Sequence, residues 1–323
     1  MSKTVKIWLI VAASLTLVGC LILGGVIMAI DWDFLKLSTN KYQINKYEIT
    51  EGFSDILVVG ATAELKVLPS TDGRAYVECY EQENLGYSVL AEDGKLSIRL
   101  EDTRKWYQHI GINFGECAKL TVYIPEGEYG ALEVISSTGE VEISKDFNFK
   151  SIDVRTSTGK IVCRASADEG INLKATTGDI TVENISSKSL YLSVSTGDVK
   201  VTNVTCTEDV KIGVTTGKTS LASVRCENLD TTGSTGDISL NNVIVSKKLA
   251  VNRSTGGVRF TDSDAGEILI VTDTGDVRGN LLSDKIFIVN TDTGRKDVPR
   301  TTSGGICDVT TDTGDIVITI SDK

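Results

Sequence analysis

The sequence holds a single histidine and only three prolines in 323 residues. No zinc-ligand spacing, nucleophile elbow or phosphate-binding loop occurs in it, and nothing in it calls for a cofactor. Scarce proline beside 30 glycines fits an ordered β protein with many tight turns better than a disordered linker. A basic face is missing as well. The net charge of −11 argues against a nucleic-acid partner, because phosphate backbones need lysine and arginine opposite them. Acidic residues are absent from the first thirty positions. Lys3 and Lys6 stand there alone, leaving 31 basic against 44 acidic residues beyond Ile30, a net −13. That excess favours solubility and disfavours docking on anionic lipid.

What is present begins with an apolar run. Ile7 to Ile30 is 24 residues without a charge, roughly 36 Å of helix against a hydrocarbon core of about 30 Å. Trp8 and Trp32 bracket it, where indole rings favour the interface. The positive-inside bias of Lys3 and Lys6, opposed by Asp31 and Asp33, predicts a cytoplasmic N-terminus and an extracytoplasmic remainder. The run is longer than a cleaved signal peptide needs. Leu17-Val18-Gly19-Cys20 resembles a lipobox, which would make Cys20 a lipidation site in a lipoprotein. The ten mostly apolar residues from Leu21 to Ile30 favour an uncleaved signal-anchor instead.

The rest of the chain repeats. Thr-Gly pairs begin at Thr138, Thr158, Thr177, Thr196, Thr216, Thr235, Thr255, Thr274, Thr293 and Thr313, at intervals of 19 or 20 residues. Four positions around each Thr, at −6, −4, +3 and +5, are apolar in 36 of 40 cases, where overall composition would give about 16. Alternation of this kind is a β signature, because successive side chains point to opposite faces. Each unit reads as strand, Thr-Gly corner, strand, with a looser second corner such as Asp168-Glu169-Gly170 or Cys206-Thr207-Glu208. A two-stranded unit cannot bury its apolar face alone, so the units must stack. The expected fold is all-β: a β-solenoid of about ten coils, roughly 45–50 Å long.

Residues 42–129 are β-rich but aperiodic and read as a cap over the first coil. Candidate strands are Asp55–Val59, Glu64–Leu68, Ala75–Tyr80, Tyr87–Ala91, Lys95–Leu100 and Lys119–Ile124. Asp72-Gly73 and Asp93-Gly94 suggest hairpin turns. The expected organisation is a cytoplasmic tail over 1–6, a transmembrane helix over 7–30, a linker over 31–41, the cap over 42–129 and the solenoid over 130–323. No comparable cap follows Ile320, so the last coil is expected to be blunted by charge or used in assembly.

The apolar helix, the aperiodic segment ending in Tyr123-Ile124-Pro125, and the Ser-Thr-Gly-Asp-Val and Thr-Thr-Gly-Asp-Ile coils together resemble a bacterial β-strand-repeat family known by the label "putative adhesin". The resemblance spans nearly the whole chain. It implies a cell-envelope location and, in some members, a link to envelope-stress operons; it brings no catalytic residues.

Four groups of residues invite a chemical reading. The first is the acid after each Gly: Glu140, Asp179, Asp198, Asp237, Asp276 and Asp315. In sequence order Lys218, Gly257 and Arg295 separate the later acids, which reads as a charge-balanced exposed corner. A calcium ladder would keep its acids adjacent. Only Asp179 and Asp198 are like-charged neighbours, and they are the candidate calcium ligands. The second is Arg104-Lys105-Trp106-Tyr107-Gln108, with His109 beside it, a loop suited to a membrane or a sugar if it is not an ordinary connection. The third is the pair Cys206 and Cys226, each ten residues past its Thr and so expected on adjacent coils, as small buried hydrophobes rather than a bridge. The fourth is Cys163 and Cys307, which occupy core columns. Coils this short leave little room for the long loops that shape a cleft of converging carboxylates.

The sequence therefore predicts no catalytic, cofactor or metal site beyond that weak acidic pair. The expected role is binding or scaffolding at the envelope, with a protein or glycan as partner. Self-assembly through the open end is the alternative, and a sugar-active enzyme the second alternative.

Overall fold

The computed structural model describes residues 2–33, 42–106 and 117–321. One helix, α1 (Lys3–Ala29), opens the chain, and the Ser2 hydroxyl accepts from the Val5 N–H at its start. Everything after it is β. The strands before the first Thr-Gly pair are β1 (Tyr42–Ile49), β2 (Asp55–Ala61), β3 (Glu64–Pro69), β4 (Ala75–Gln82), β5 (Leu85–Glu92), β6 (Lys95–Asp102) and β7 (Lys119–Ile124). The coils follow as β8 (Gly127–Thr138), β9 (Val141–Ile143), β10 (Phe147–Thr158), β11 (Ile161–Cys163), β12 (Ser166–Thr177), β13 (Ile180–Thr196), β14 (Val199–Cys206) and β15 (Asp209–Thr216). They continue as β16 (Thr219–Thr235), β17 (Ile238–Thr255), β18 (Val258–Thr274), β19 (Val277–Leu281), β20 (Lys285–Thr293), β21 (Lys296–Asp297), β22 (Gly305–Thr313) and β23 (Ile316–Ile320).

The ten Thr-Gly coils form the β-solenoid, each strand parallel to its equivalents above and below. Threonine falls on threonine throughout, as in Thr138↔Thr158 and Thr235↔Thr255. The apolar columns point inward. Val134, Val154, Leu173, Leu192 and Val251, one per coil, are buried to 2% exposure or less, each contributing on the order of 2 kcal/mol by leaving water.

Two further rungs come from the region expected to be only a cap. β2 and β3 make a rung that pairs parallel with β8 and β9 on one side and with β6 and β7 on the other. Beyond them the ladder turns antiparallel: β5 lies on β6, β4 on β7, and β1 on β4. The change of direction closes that end of the stack. The candidate strands all form, and Asp93-Gly94 makes the β5–β6 hairpin. Asp72-Gly73 does not make a hairpin. β3 is committed on both edges to β7 and β9, so the turn delivers β4 to a different neighbour. With rungs about 4.8 Å apart, the twelve rungs span roughly 53 Å.

Sequence order is not stacking order at the far end either. β22 and β23 pair with β18 and β19 on one side and with β20 and β21 on the other. The later pair of strands is thus inserted beneath the earlier one, and β20–β21 is the outermost rung.

Each middle coil also turns at one more place than the expected two. Position +5 and position +8 after the Thr both face inward, for example Val201 with Val204 and Leu240 with Val243. Inward residues three apart require a bend between them. Its residues, Asn184, Asn203, Ser223, Asn242 and Asp262, have φ of 48° to 57°, the left-handed region that Asn tolerates better than most side chains. Their side chains bond from coil to coil: Asn203 Nδ2 donates to Asn184 Oδ1 at 2.8 Å, and Asn280 Nδ2 to Asp262 Oδ1 at 2.7 Å.

Candidate functional site

At the Thr-Gly corner glycine is required twice over. Gly217 has φ +147°, and a Cβ there would overlap the carbonyl oxygen of Gly197 on the next coil. The corner backbone is saturated along the stack, with Gly197 N–H donating to Thr216 O and Gly217 N–H to Thr235 O.

The acid that follows the Gly adds a second ladder. Asp179 Oδ1 accepts the Asp198 N–H at 2.8 Å, and Asp198 Oδ1 accepts the Lys218 N–H at 2.7 Å. Asp237 takes the Gly257 N–H, Asp276 the Asp315 N–H, and Asp315 the Arg295 N–H. Each carboxylate thus ties one corner to the next. The candidate calcium ligands Asp179 and Asp198 are links in this ladder. Among the described residues no group of three or more His, Cys, Asp or Glu side chains converges, whereas calcium needs six to eight oxygens.

The strict charge alternation expected for this column breaks at the inserted rung. Stacking order brings Asp276 directly against Asp315, with Arg295 outside them. Arg278 resolves the clash by bonding Asp276 at 3.0 Å and Asp315 at 2.8 Å. The backbone N–H of Asp315, and secondarily Arg278, hold the Asp276 carboxyl below its usual range.

Two long basic side chains run inside the stack, and both cross a rung where the neighbour is glycine. Lys285 of β20, only 3% exposed, lies opposite Gly305 of β22. Its Nζ reaches Asp264 of β18 at 2.7 Å, two rungs down, and also donates to Ser283 Oγ. The pair sits at the wall of an open cleft of about 940 Å³ formed with Leu282, Asp284, Gly304 and Ser321. With its charge opposed at contact distance, Asp264 serves as an ion-pair partner. Arg253, 1% exposed, lies opposite Gly233 and donates across it to Val214 O at 2.8 Å and to Thr219 Oγ1 at 3.4 Å. No carboxylate pairs with it among the described residues, its Nε has no partner, and burial pulls its pKa down.

The cysteines divide by environment. Cys79, Cys163, Cys206, Cys226 and Cys307 are buried free thiols, and burial pushes each up to about 12. Cys206 and Cys226 stack on adjacent coils without bridging. Cys20 lies exposed within the unbroken α1. Trp106 is exposed beside the Arg104–Asp102 ion pair; Tyr107, Gln108 and His109 lie outside the described residues.

Sequence reasoning missed the two basic struts and the Asn bend. The signal for the bend was present as the recurring Asn at +7. For Arg253 it was a charged residue at −2, where the other coils carry Ser, Thr, Ala, Val or Gly; Lys285, at −8 of its Thr, falls in a column that is often charged and gave no signal.

Residues 53–242 match the protein family described as Toastrack DUF4097. No curated protein matches the chain. Among solved structures, one described as a "putative adhesin" from Bacteroides fragilis is 15% identical with a TM-score of 0.42, covering 87% of this chain and 97% of its own. A "putative lipid binding protein" from Parabacteroides distasonis is 18% identical at 0.48, over 75% and 97%. A "putative adhesin" from Parabacteroides merdae is 13% identical at 0.48, over the same shares.

Proposed function

The chain belongs to the Toastrack DUF4097 family, and we propose that it is a membrane-anchored, non-enzymatic protein that presents its β-solenoid as a binding or scaffolding surface at the bacterial envelope. The observation that carries this reading is α1. It contains a window of mean hydropathy 2.5, and none of its 27 residues is buried against the β domain. An apolar helix left wholly bare is unstable in water and stable across a bilayer. Lys3 and Lys6 on one side and Asp31 and Asp33 on the other set the direction, with the N-terminus inside. The solenoid then stands outside, and its corners, closed by backbone and carboxylate ladders, make a rigid rod whose outward columns are free to meet an envelope protein or glycan. Envelope stress and adhesion are the settings this reading suits.

The test is made on the full chain in membranes of intact cells. The chain is expected to resist carbonate extraction, and a C-terminal tag to be removed by external protease. A chain recovered in the soluble fraction, or a tag reached only after lysis, overturns the reading. A mature chain beginning at a lipidated Cys20 would replace the helix by a lipid anchor.

Self-assembly is the second reading, favoured by one observation. Among the described residues the outermost strand β20 pairs on one edge only, and it exposes Ile286 and Ile288 while Phe287 and Val289 are only half-buried. Such an edge is a template for another chain. Light scattering of the full chain in detergent decides it, since a monodisperse monomer at high concentration rules assembly out.

A further inference from the structure

The coil around Thr255 departs from the repeat at two places on one level of the rod. Position −2 is Arg253, where every other coil carries Ser, Thr, Ala, Val or Gly. Position +2 is Gly257, where its neighbours carry Asp237 and Asp276. Position +4 is Arg259, as it is Arg278 in the next coil. Arg259 and Arg278 lie side by side on the outer face of adjacent rungs, with Ser239 next in the same row. Arg278 is neutralised by the acid two residues before it, Asp276, and by Asp315. In the coil of Arg259 that acid is replaced by Gly257. Consequently no carboxylate lies within ion-pair distance of Arg259, nor of Lys218, among the described residues.

The missing side chain also leaves a hollow. A groove of about 530 Å³ is lined by Lys218, Ser220, Asp237, Ser239, Gly257 and Arg259, among others. Behind its floor, on the inner side of the wall, the Arg253 guanidinium reaches Thr219, the residue between Lys218 and Ser220. Two uncompensated cations therefore face the hollow, a third lies buried behind it, and two serine hydroxyls line it. The two acids that also line it are partly spent: Asp237 on the Gly257 N–H, Asp276 on the Asp315 N–H and Arg278. On a rod that is acidic overall, this is a local reversal of charge with donors around it. Arginine, lysine and hydroxyl donors together are the groups that recognise a phosphate oxyanion.

We propose that this groove binds a phosphate group carried on a hydroxylated molecule, with Arg259 and Lys218 as the charge contacts and Ser220 and Ser239 as hydroxyl contacts. The groove is several times larger than a bare phosphate, which leaves room for the polyol attached to it. The proposal rests on the rod being a binding surface and names its ligand class. It is measured on purified protein, so an incorrect topology in cells leaves it standing, and a null titration leaves the anchor standing.

The experiment is calorimetric titration of the full chain in non-ionic detergent with inorganic phosphate, with glycerol 3-phosphate, and with micelles doped with phosphatidylglycerol. Saturable binding of glycerol phosphate or of the phospholipid is expected, weakened by added salt. Binding of the soluble ester alone identifies a soluble ligand, and binding of the doped micelles alone identifies a lipid headgroup. Arg259→Ala should weaken it about tenfold, equivalent to one charge-assisted hydrogen bond. Gly257→Asp should abolish it by restoring the acid that neighbouring coils carry. Gly257 has no positive φ, and a Cβ there would be 3.3 Å from Asp276 O, so that variant should fold; unfolding midpoints check it, and Arg259→Ala stands as the second variant. Arg155→Ala, at an exposed Asp153 pair elsewhere on the rod, should bind as the parent does. Absence of binding to all three probes, or parental affinity in both Gly257→Asp and Arg259→Ala, overturns the proposal.

Discussion

Replacing Gly217 by alanine separates two reasons for the corner glycine, because a matched control exists in the same chain. Gly217 and Gly127 share an unusual backbone, with φ of +147° and +157°. A non-glycine residue held there costs about 1–3 kcal/mol in strain. They differ in surroundings. A Cβ on Gly127 meets nothing within 4 Å, whereas a Cβ on Gly217 overlaps Gly197 O and lies 2.7 Å from its carbonyl carbon. The coils would have to part at that corner. That would loosen the Gly217–Thr235 and Gly197–Thr216 hydrogen bonds, now 2.9 and 3.0 Å, at roughly 1 kcal/mol each. Gly217→Ala should therefore cost about 3–5 kcal/mol and Gly127→Ala about 1–3. At about 2–4 °C per kcal/mol, the first should lower the midpoint by on the order of 10 °C. Far-ultraviolet circular dichroism of the full chain in detergent, by heat and by urea, gives both numbers. Equal losses in the two variants would refute the stacking argument and leave only backbone strain.

The Asn bend makes a graded prediction. Asn203→Ala should cost about 1–2 kcal/mol by losing the bond to Asn184 and keeping the left-handed backbone, and Asn203→Gly should cost less by relieving it; the opposite ranking in urea titrations would contradict the account. Lys285→Ala should destabilise the outermost rung by roughly 3 kcal/mol, because it strands the largely buried Asp264. Hydrogen exchange should show that loss first in β20 and β22, and an unchanged exchange pattern would dismiss the strut. The five buried thiols, raised to about 12, should hold only about one part in ten thousand as thiolate at pH 8. Mass spectrometry after native alkylation should find Cys117 modified and those five untouched until denaturant is added.

The period was written plainly in the sequence. Glycine at the corner and alternating apolar columns leave few alternatives, so coil content, register and the inward faces could be read directly. Spatial order could not. β20–β21 and β22–β23 carry the same pattern at the same interval, and a repeat makes every seat look equivalent. The rung formed by β2 and β3 was hidden for the opposite reason: Ala61-Thr62-Ala63 replaces Thr-Gly at its corner, so the periodic signal never marks it. The groove was visible only as an exception. Gly257 looked like a neutral spacer in a charged column until the Arg278–Asp276 pair on the neighbouring rung showed what Arg259 lacks.

The inserted rung bears on how the chain is made. Synthesis runs from β18 to β23, so β20 and β21 emerge before β22 and β23, the strands they must rest on. Until those follow, the free edge of β18 offers β20 a seat with the same period and the same threonine register, one level too low. Lys285 records the native outcome. Its stem passes Gly305 to reach Asp264 two levels away; seated directly on β18 it would lie opposite Gly266, one level from that carboxylate. The ion pair thus belongs to the finished order, in which the last strands made lie between the two residues that form it.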